Sequence, residues 1–261
     1  VDDGYPDWQP ASPAVHFVAE TCIMRTLGLE TADEMGSAGI INGNGSEVLS
    51  EIAFTARADH GVKLTPSVDA ALDLADLAHT DIELIAISRG PGSFTGLRIG
   101  LAFAKGLARA LDVPLVGVPT SETYAHRAQF WPGPVWVLIP DRRDSVYCAG
   151  YEQGRPVQSP TVCQVEDVPA GRASADDSWP TLLMGPGADV HRDALQRALP
   201  NAEVAGATLT RPSGTTVARL GRERYAHDRT DELYPLEPLY AQGPPVTPDR
   251  GSNRAAAQDH E

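Results

Sequence analysis

Ser88-Arg-Gly-Pro-Gly-Ser-Phe-Thr-Gly-Leu-Arg-Ile-Gly-Leu-Ala-Phe-Ala-Lys-Gly-Leu-Ala108 is the stretch whose reading decides the fold of this chain. It joins the end of an apolar strand, Ile82 to Ser88, to a long helix, Phe94 to Leu111, through closely spaced glycines. Gly90, Gly92 and Gly96 permit positive φ and close backbone approach, and Ser93 or Thr95 can accept a hydrogen bond from the first free amides of the helix. Such a turn either cradles an anion or makes a tight connection. No Gly-Lys-Ser/Thr follows, which excludes a Walker loop, and the three glycines miss the Gly-x-Gly-x-x-Gly spacing of a dinucleotide fingerprint by one residue.

Working outward, apolar or alternating runs at Arg25 to Leu29, Ser37 to Ile41 and Val48 to Phe54 read as three antiparallel strands, with Asn42-Gly-Asn-Gly as a hairpin signal. Thr65 is placed to cap a helix with Pro66 at its first position and Val68 to Ala78 as its body. Pro114 to Val118 reads as a buried strand. A second unit starts near Pro134: Val135 to Pro140 and Ser145 to Tyr151 form a hairpin, and Thr181 to Met184 leads through Gly185-Pro-Gly to a helix over Val190 to Leu199. Thr215 to Ala226 is the last helix. Strands alternating with helices call for a layered α/β fold.

The long helix has two apolar sides at 100° per residue. Leu97, Leu101, Ala104, Ala108 and Leu111 fall on one, and Ile99, Phe103, Gly106 and Ala110 nearly opposite, with Arg98, Lys105 and Arg109 as a basic stripe between them. A surface helix needs one apolar side. The second side is either sandwiched within its own domain or packed on a partner. The preceding helix carries an acidic stripe, Asp69, Asp73 and Asp76, beside Val68, Ala71, Leu72 and Ala75. The Arg98, Lys105 and Arg109 stripe pairs with it in charge, to set register more than strength.

As a whole string, Gly90-Pro-Gly-Ser-Phe-Thr-Gly-Leu-Arg-Ile-Gly100, continuing through Ala104-Lys-Gly-Leu-Ala, resembles the signature of the TsaB (YeaZ) family. Further matches come in order: Met24-Arg-Thr-Leu-Gly-Leu-Glu-Thr, His60-Gly-Val-Lys-Leu-Thr-Pro, Pro114-Leu-Val-Gly-Val-Pro-Thr-Ser-Glu, Asp141-Arg-Arg-Asp-Ser-Val-Tyr and Pro235-Leu-Glu-Pro-Leu-Tyr. The resemblance spans Met24 to Tyr240. It implies an actin-like, sugar-kinase-like α/β fold of two lobes, mixed sheets flanked by helices, with one lobe over residues 24–133 and the other over 134–240.

The resemblance also implies a role beside TsaD in making N6-threonylcarbamoyladenosine at position 37 of tRNA, in tRNAs reading ANN codons. Expected partners are TsaD as a heterodimer, TsaE within the complex and tRNA through it, with a homodimer when TsaD is absent. The two helices then join their counterparts as a four-helix bundle, and the expected interface is Val68, Leu72, Ala75, Leu97, Arg98, Leu101, Ala104, Lys105, Ala108 and Leu111, with Phe103 turned inward. TsaD proteins bind metal through His-x-x-x-His; Thr120 and Tyr124 fall at those positions here. Neither a metal site nor a catalytic residue is therefore expected. The first phosphate loop reads Glu30-Thr-Ala-Asp-Glu-Met-Gly-Ser, where Asp33 and Glu34 repel phosphate. Gly90, Gly92 and Ser93 are left as a degenerate nucleotide or phosphate turn, with Gly185 to Gly187 as an alternative for a weak or shared nucleotide site. No cofactor is expected to bind this chain strongly; ATP or ADP and metal belong to the partner complex. The competing readings are a stand-alone ATPase or metallopeptidase-like hydrolase, and a purely homodimeric scaffold.

The formal net charge of −14 over 261 residues argues against gripping nucleic acid through a general basic field. Cys22, Cys148 and Cys163 show no zinc spacing and fit a reducing cytoplasm. No apolar run approaches the roughly 20 residues of a membrane span. Residues 1–23 and 241–261 read as disordered arms, the first of them either a genuine extension or the product of a misplaced start before Met24. Asp141, Arg142, Arg143 and Asp144 read as a charged turn.

Overall fold

In the computed structural model the described residues are 24–240, apart from 44, 46, 57–58, 142–144, 169–178, 212, 228–230 and 232. Both expected arms, Cys22 and the Arg142 to Asp144 turn lie outside them.

The apolar run Thr26-Leu-Gly-Leu-Glu becomes β1 (Thr26–Glu30), buried throughout. It pairs antiparallel with β2 (Met35–Asn42), Leu27 opposite Ile40, and parallel with β4 (Leu84–Ser88), Leu27 opposite Ile85. β3 (Glu47–Thr55) returns from β2 through the Asn-Gly hairpin, closed by Asn42 Nδ2 donating to Glu47 Oε2 at 3.0 Å. β5 (Leu115–Val118) adds parallel to β4, so the sheet runs β3-β2-β1-β4-β5.

β6 (Val135–Pro140), β7 (Ser145–Glu152), β8 (Arg155–Gln164), β9 (Leu182–Met184) and β10 (Glu203–Val204) form a second sheet ordered β8-β7-β6-β9-β10. Its first three strands are antiparallel and its last two join in parallel, the same permutation as in the first sheet. The two sheets are thus an architectural repeat. Two such α/β lobes make the actin-like fold.

Alternation assigns the faces. Leu27, Leu29, Ala38, Ile40, Ile85 and Ile87 meet α1 (His60–Leu74) and α2 (Phe94–Leu111) in the main core. The alternate positions Gly28, Gly39 and Ala86 lie against α6 (Gly214–Ala226), where a Cβ at Gly28 or Gly39 would overlap the α6 backbone at Gly214 and Thr215. In the second sheet α3 (Thr120–Arg127) packs on Val135, Val137 and Ile139. α4 (Pro186–Val190) and α5 (Arg192–Ala198) cover Trp136 and Leu138.

The lobes therefore exchange covering helices. α3 follows the first sheet in sequence but packs on the second, and α6 follows the second but packs on the first. The expected division at residues 133–134 falls between α3 and β6, which pack together, and α6 beyond it covers the first sheet. After α6, residue 231 and residues 233–240 run back as a strap over the first lobe. Asp231 Oδ2 accepts from Gly117 N at 2.7 Å, Leu236 enters the core, and Leu239 N donates to Arg89 O at 2.6 Å.

Two other expectations shift. The first helix begins at His60 rather than at Thr65, with Pro66 inside it on the exposed side, where water can meet the carbonyl that proline leaves without an amide. It ends at Leu74, so Asp76 of the expected acidic stripe lies beyond it with φ 53°. Leu77 N donates back to Leu72 O and Asp76 N to Asp73 O, a Schellman closure that uses Asp76 as its left-handed residue. α3 and β8 carry no strong sequence signal, and the structure supplies them.

Candidate functional site

Ser93 starts α2 by accepting Gly96 N on its Oγ at 3.2 Å, and the helix ends at Asp112, φ 55°. Which side faces the sheet is decided by glycine. Gly96 and Gly100 are buried, and a Cβ at either would overlap Thr31 at the end of β1. Their side of the helix must therefore lie against the sheet, and it takes Leu97, Leu101, Ala104 and Ala108 with it, all buried.

This corrects the expected interface. Leu97, Leu101, Ala104 and Ala108, with Val68 and Leu72 of α1, lie in the core of the first lobe, while Ala75 and Leu111 pack against its margin. The basic positions are also engaged within the chain. Arg98 Nε donates to Tyr240 Oη at 3.0 Å and its guanidinium sits 3.8 Å from the Phe94 ring centroid; Lys105 Nζ donates to Tyr234 O at 3.0 Å. Phe94 and Tyr240 rings lie 5.6 Å apart, so the strap grips one flank of α2.

The outward face is a different set. On α2, Ala102, Gly106, Arg109 and Ala110 are exposed, with Ile99 half-buried beside them, while Phe103, expected inward, is half-buried and packs against the main core. On α1, Val62 and Leu74 are 75% and 67% exposed, along with Thr65, Pro66, Asp69 and Asp73. Ile99 reaches to 3.9 Å from where a Gly61 Cβ would lie, so the two helices present one continuous surface. Gly106 has nothing within 4 Å of a Cβ position. A glycine in a helix interior costs about 0.5–1 kcal/mol relative to alanine, and no neighbour in this chain requires it. Asp69 pairs with His79 at 3.1 Å, and Asp73 lies exposed on the same stripe.

At the inner end of α2 lies the loop after β1, which the resemblance marks as the first phosphate loop. Glu30 is completely buried; its Oε1 accepts Ala32 N at 2.7 Å and Ser88 Oγ at 2.8 Å, and its Oε2 has no hydrogen-bond partner. Burial pushes this carboxyl up to about 7, against the pull of those hydrogen bonds. Asp33 is also raised, by burial first. Its carbonyl receives His60 Nε2 at 2.8 Å and its carboxylate receives Tyr124 Oη at 3.4 Å. His60 is therefore a buried tie between α1 and this loop.

Three amides of the glycine turn donate within the protein. Gly90 N donates to Thr120 Oγ1 at 3.1 Å, Ser93 N to Ala32 O at 2.7 Å, and Gly96 N to Ser93 Oγ. A Cβ at Gly92 would overlap Ala32 O, and one at Gly90 would crowd Leu239 O at 2.6 Å. The tight-connection reading thus accounts for Gly90, Gly92 and Ser93. In the second lobe, a Cβ at Gly185 would stand 2.5 Å from Leu138 O, a close contact of the same kind. Thr120 and Tyr124, the positions at which the resemblance places metal-binding histidines, act as clamps: Thr120 N also donates to Gly90 O at 2.8 Å, and Tyr124 spans from α3 to Asp33. Sequence reasoning missed this pairing. Its signal was the hydroxyl at both positions, which fits a hydrogen-bonded bridge between lobes.

No helix among the described residues is long and apolar enough to cross a membrane.

A family model described as "TsaD: tRNA N6-adenosine threonylcarbamoyltransferase" matches residues 47–178. The chain is 28% identical over 208 residues to the tRNA threonylcarbamoyladenosine biosynthesis protein TsaB of Bacillus subtilis (strain 168), covering 78% of this chain and 90% of that protein. It is 36% identical over 132 residues to the Escherichia coli (strain K12) protein of the same name, covering 50% and 56%. An uncharacterized protein of Mycobacterium tuberculosis (strain ATCC 25618 / H37Rv) is 34% identical over 227 residues, 87% of this chain and 95% of that protein. Among solved structures, YeaZ from Pseudomonas aeruginosa superposes with a TM-score of 0.71 at 26% identity, covering 84% of this chain and all of that one.

Proposed function

The chain belongs to the TsaB (YeaZ) family of TsaD-like proteins, and on that premise we propose that it serves the biosynthesis of N6-threonylcarbamoyladenosine in tRNA as a noncatalytic subunit. It binds TsaD and holds it in the form that transfers the threonylcarbamoyl group to N6 of adenosine 37. TsaE and tRNA join through the complex, and nucleotide and metal are held by the partner.

The observation that carries this reading is the outward face of α1 and α2. Val62 and Leu74 on α1 and Ala102 and Ala110 on α2 are exposed, and Gly106 between the last two has an open Cβ position, which favours close approach of another helix. A standard interface covers about 800 Å² per partner, and two helices of 15 and 18 residues present a surface of that order. The apolar residues supply the affinity, while Asp73 and Arg109 at the rim set orientation. The Glu30 carboxyl supports the noncatalytic part. Sealed in protein and half protonated near neutrality, it is poorly suited to hold a hydrated cation beside a phosphate.

Two assays test the reading. The isolated chain should turn over no ATP and modify no tRNA, and addition of TsaD, TsaE and the threonylcarbamoyl-adenylate should yield modified tRNA. Co-purification with TsaD should be lost when the outward face is charged. Steady ATP turnover by the chain alone, abolished by Glu30→Gln, would make it an enzyme and end the proposal. Self-association with no affinity for TsaD would make it a homodimeric scaffold instead.

A further inference from the structure

Two thiols in the second sheet take no part in anything described above. Cys148 on β7 is buried and Cys163 on β8 half-buried, both are free, and their sulfurs lie 3.0 Å apart. The register explains the approach. Cys148 stands opposite Thr161 and Cys163 opposite Val146, so the cysteines are diagonal neighbours on one face of an antiparallel pair. A register shift follows Cys148 on its way to Gly150, and such irregularities increase local twist. The pair lies at the edge of the core formed by Trp136, Leu138, Val165 and Leu195. Apart from the other thiol, Cys148 Sγ has Thr161 Oγ1 at 3.5 Å as a polar neighbour.

We propose that Cys148 and Cys163 are a dithiol–disulfide pair, a redox modification site that staples the edge strand β8 to β7. The sulfurs need to close by only about 1 Å to reach a bond of about 2.05 Å. The co-reactant is a small-molecule disulfide of the glutathione type. Cys163, the more accessible thiol, gives its proton to solvent, and its thiolate attacks one sulfur of that disulfide. One small thiolate leaves and is protonated. Cys148 then loses its proton and attacks the Cys163 sulfur of the mixed disulfide, expelling the second small thiol. The protein loses two hydrogens and gains one S–S bond, and the oxidant is reduced to two thiols. Cys148 cannot start the exchange because it is buried, and the adduct on Cys163 cannot persist because a second sulfur is already in contact with it.

Burial, reinforced by the adjacent thiol, pushes Cys163 up to about 12. Its thiolate fraction at neutral pH is small, so oxidation is slow and accelerates about tenfold per pH unit between 7 and 9.

The test uses the full chain with Cys22→Ser, leaving two thiols. Reduced protein is incubated with oxidised glutathione at pH 8, then examined by intact mass, thiol titration in denaturant and thermal melting. Expected are a loss of two hydrogens, no titratable thiol, and a Tm that rises and returns on reduction. With Cys148→Ser added, glutathione should remain on Cys163. Three outcomes overturn the proposal: a persistent glutathione adduct without a crosslink, two thiols still titratable while the denatured chain oxidises, or a crosslinked protein that melts lower than the reduced one.

Discussion

Glu30 is a fully buried carboxyl, and its burial has a measurable price. A carboxyl raised from 4.5 to about 7 binds its proton more tightly in the folded state than in the unfolded one. Its contribution is full at low pH and is lost as pH rises through that interval, a fall of about 3 kcal/mol. Asp33, raised in the same direction, adds to the slope. The Tm should therefore drop between pH 5 and pH 8, and Glu30→Gln should flatten much of that drop; an unchanged profile would show that the carboxyl is not strained by burial. Gly106 makes the complementary case at the surface. Gly106→Ala should raise the stability of the isolated chain by about 0.5–1 kcal/mol, since its Cβ meets nothing within 4 Å. The same change should weaken binding of TsaD, and calorimetric titration against a melting curve separates the two effects.

At the scale of the element, α2 was fully legible in its bounds and misread in its orientation. Its ends, Phe94 and Leu111, follow from a serine cap and the loss of periodicity. Its faces do not follow from hydrophobicity, because both sides are apolar. The deciding pattern was Gly96 and Gly100, four residues apart on the side that also carries Leu97, Leu101 and Ala104. These positions demand close approach to Thr31, which only the sheet can provide. Helix α1 was misplaced for a related reason: Pro66 reads as a helix start, yet the helix tolerates it on a solvent-facing turn. The corrected faces give a paired expectation. Leu101→Ala, which opens a cavity in the core, should cost about 2–5 kcal/mol and leave any TsaD binding by the folded fraction intact. Ala102→Arg should leave the melting curve within about 0.5 kcal/mol of wild type and abolish co-elution with TsaD on size-exclusion chromatography. If Ala102→Arg still co-elutes, the outward face is not the interface.

For the whole molecule, the two-lobed α/β class was readable from alternating strands and helices, but the exchange of helices was not. Nothing in Thr215 to Ala226 names the sheet it covers, and only Gly28 and Gly39, bare on alternate positions of β1 and β2, hint that a backbone must lie directly against them. A fragment of residues 24–133 should therefore fail to fold alone despite holding a complete five-stranded sheet, as circular dichroism and hydrogen exchange would reveal. A fragment as protected as the full chain would show that α6 and the strap are dispensable. Between the lobes the exchanged helices meet, with Arg224 Nη2 on Glu122 Oε2 at 2.6 Å. The exchange also sets a timetable on the ribosome. The first sheet is complete once Val118 has emerged, but the helix that covers its second face begins at Gly214, 96 residues later, which at about 5–20 residues per second is a wait of roughly 5–20 s. Throughout that interval the nascent chain carries a bare sheet face, making this stage of translation the one at which trigger-type chaperones and codon speed have most leverage over the yield of native protein.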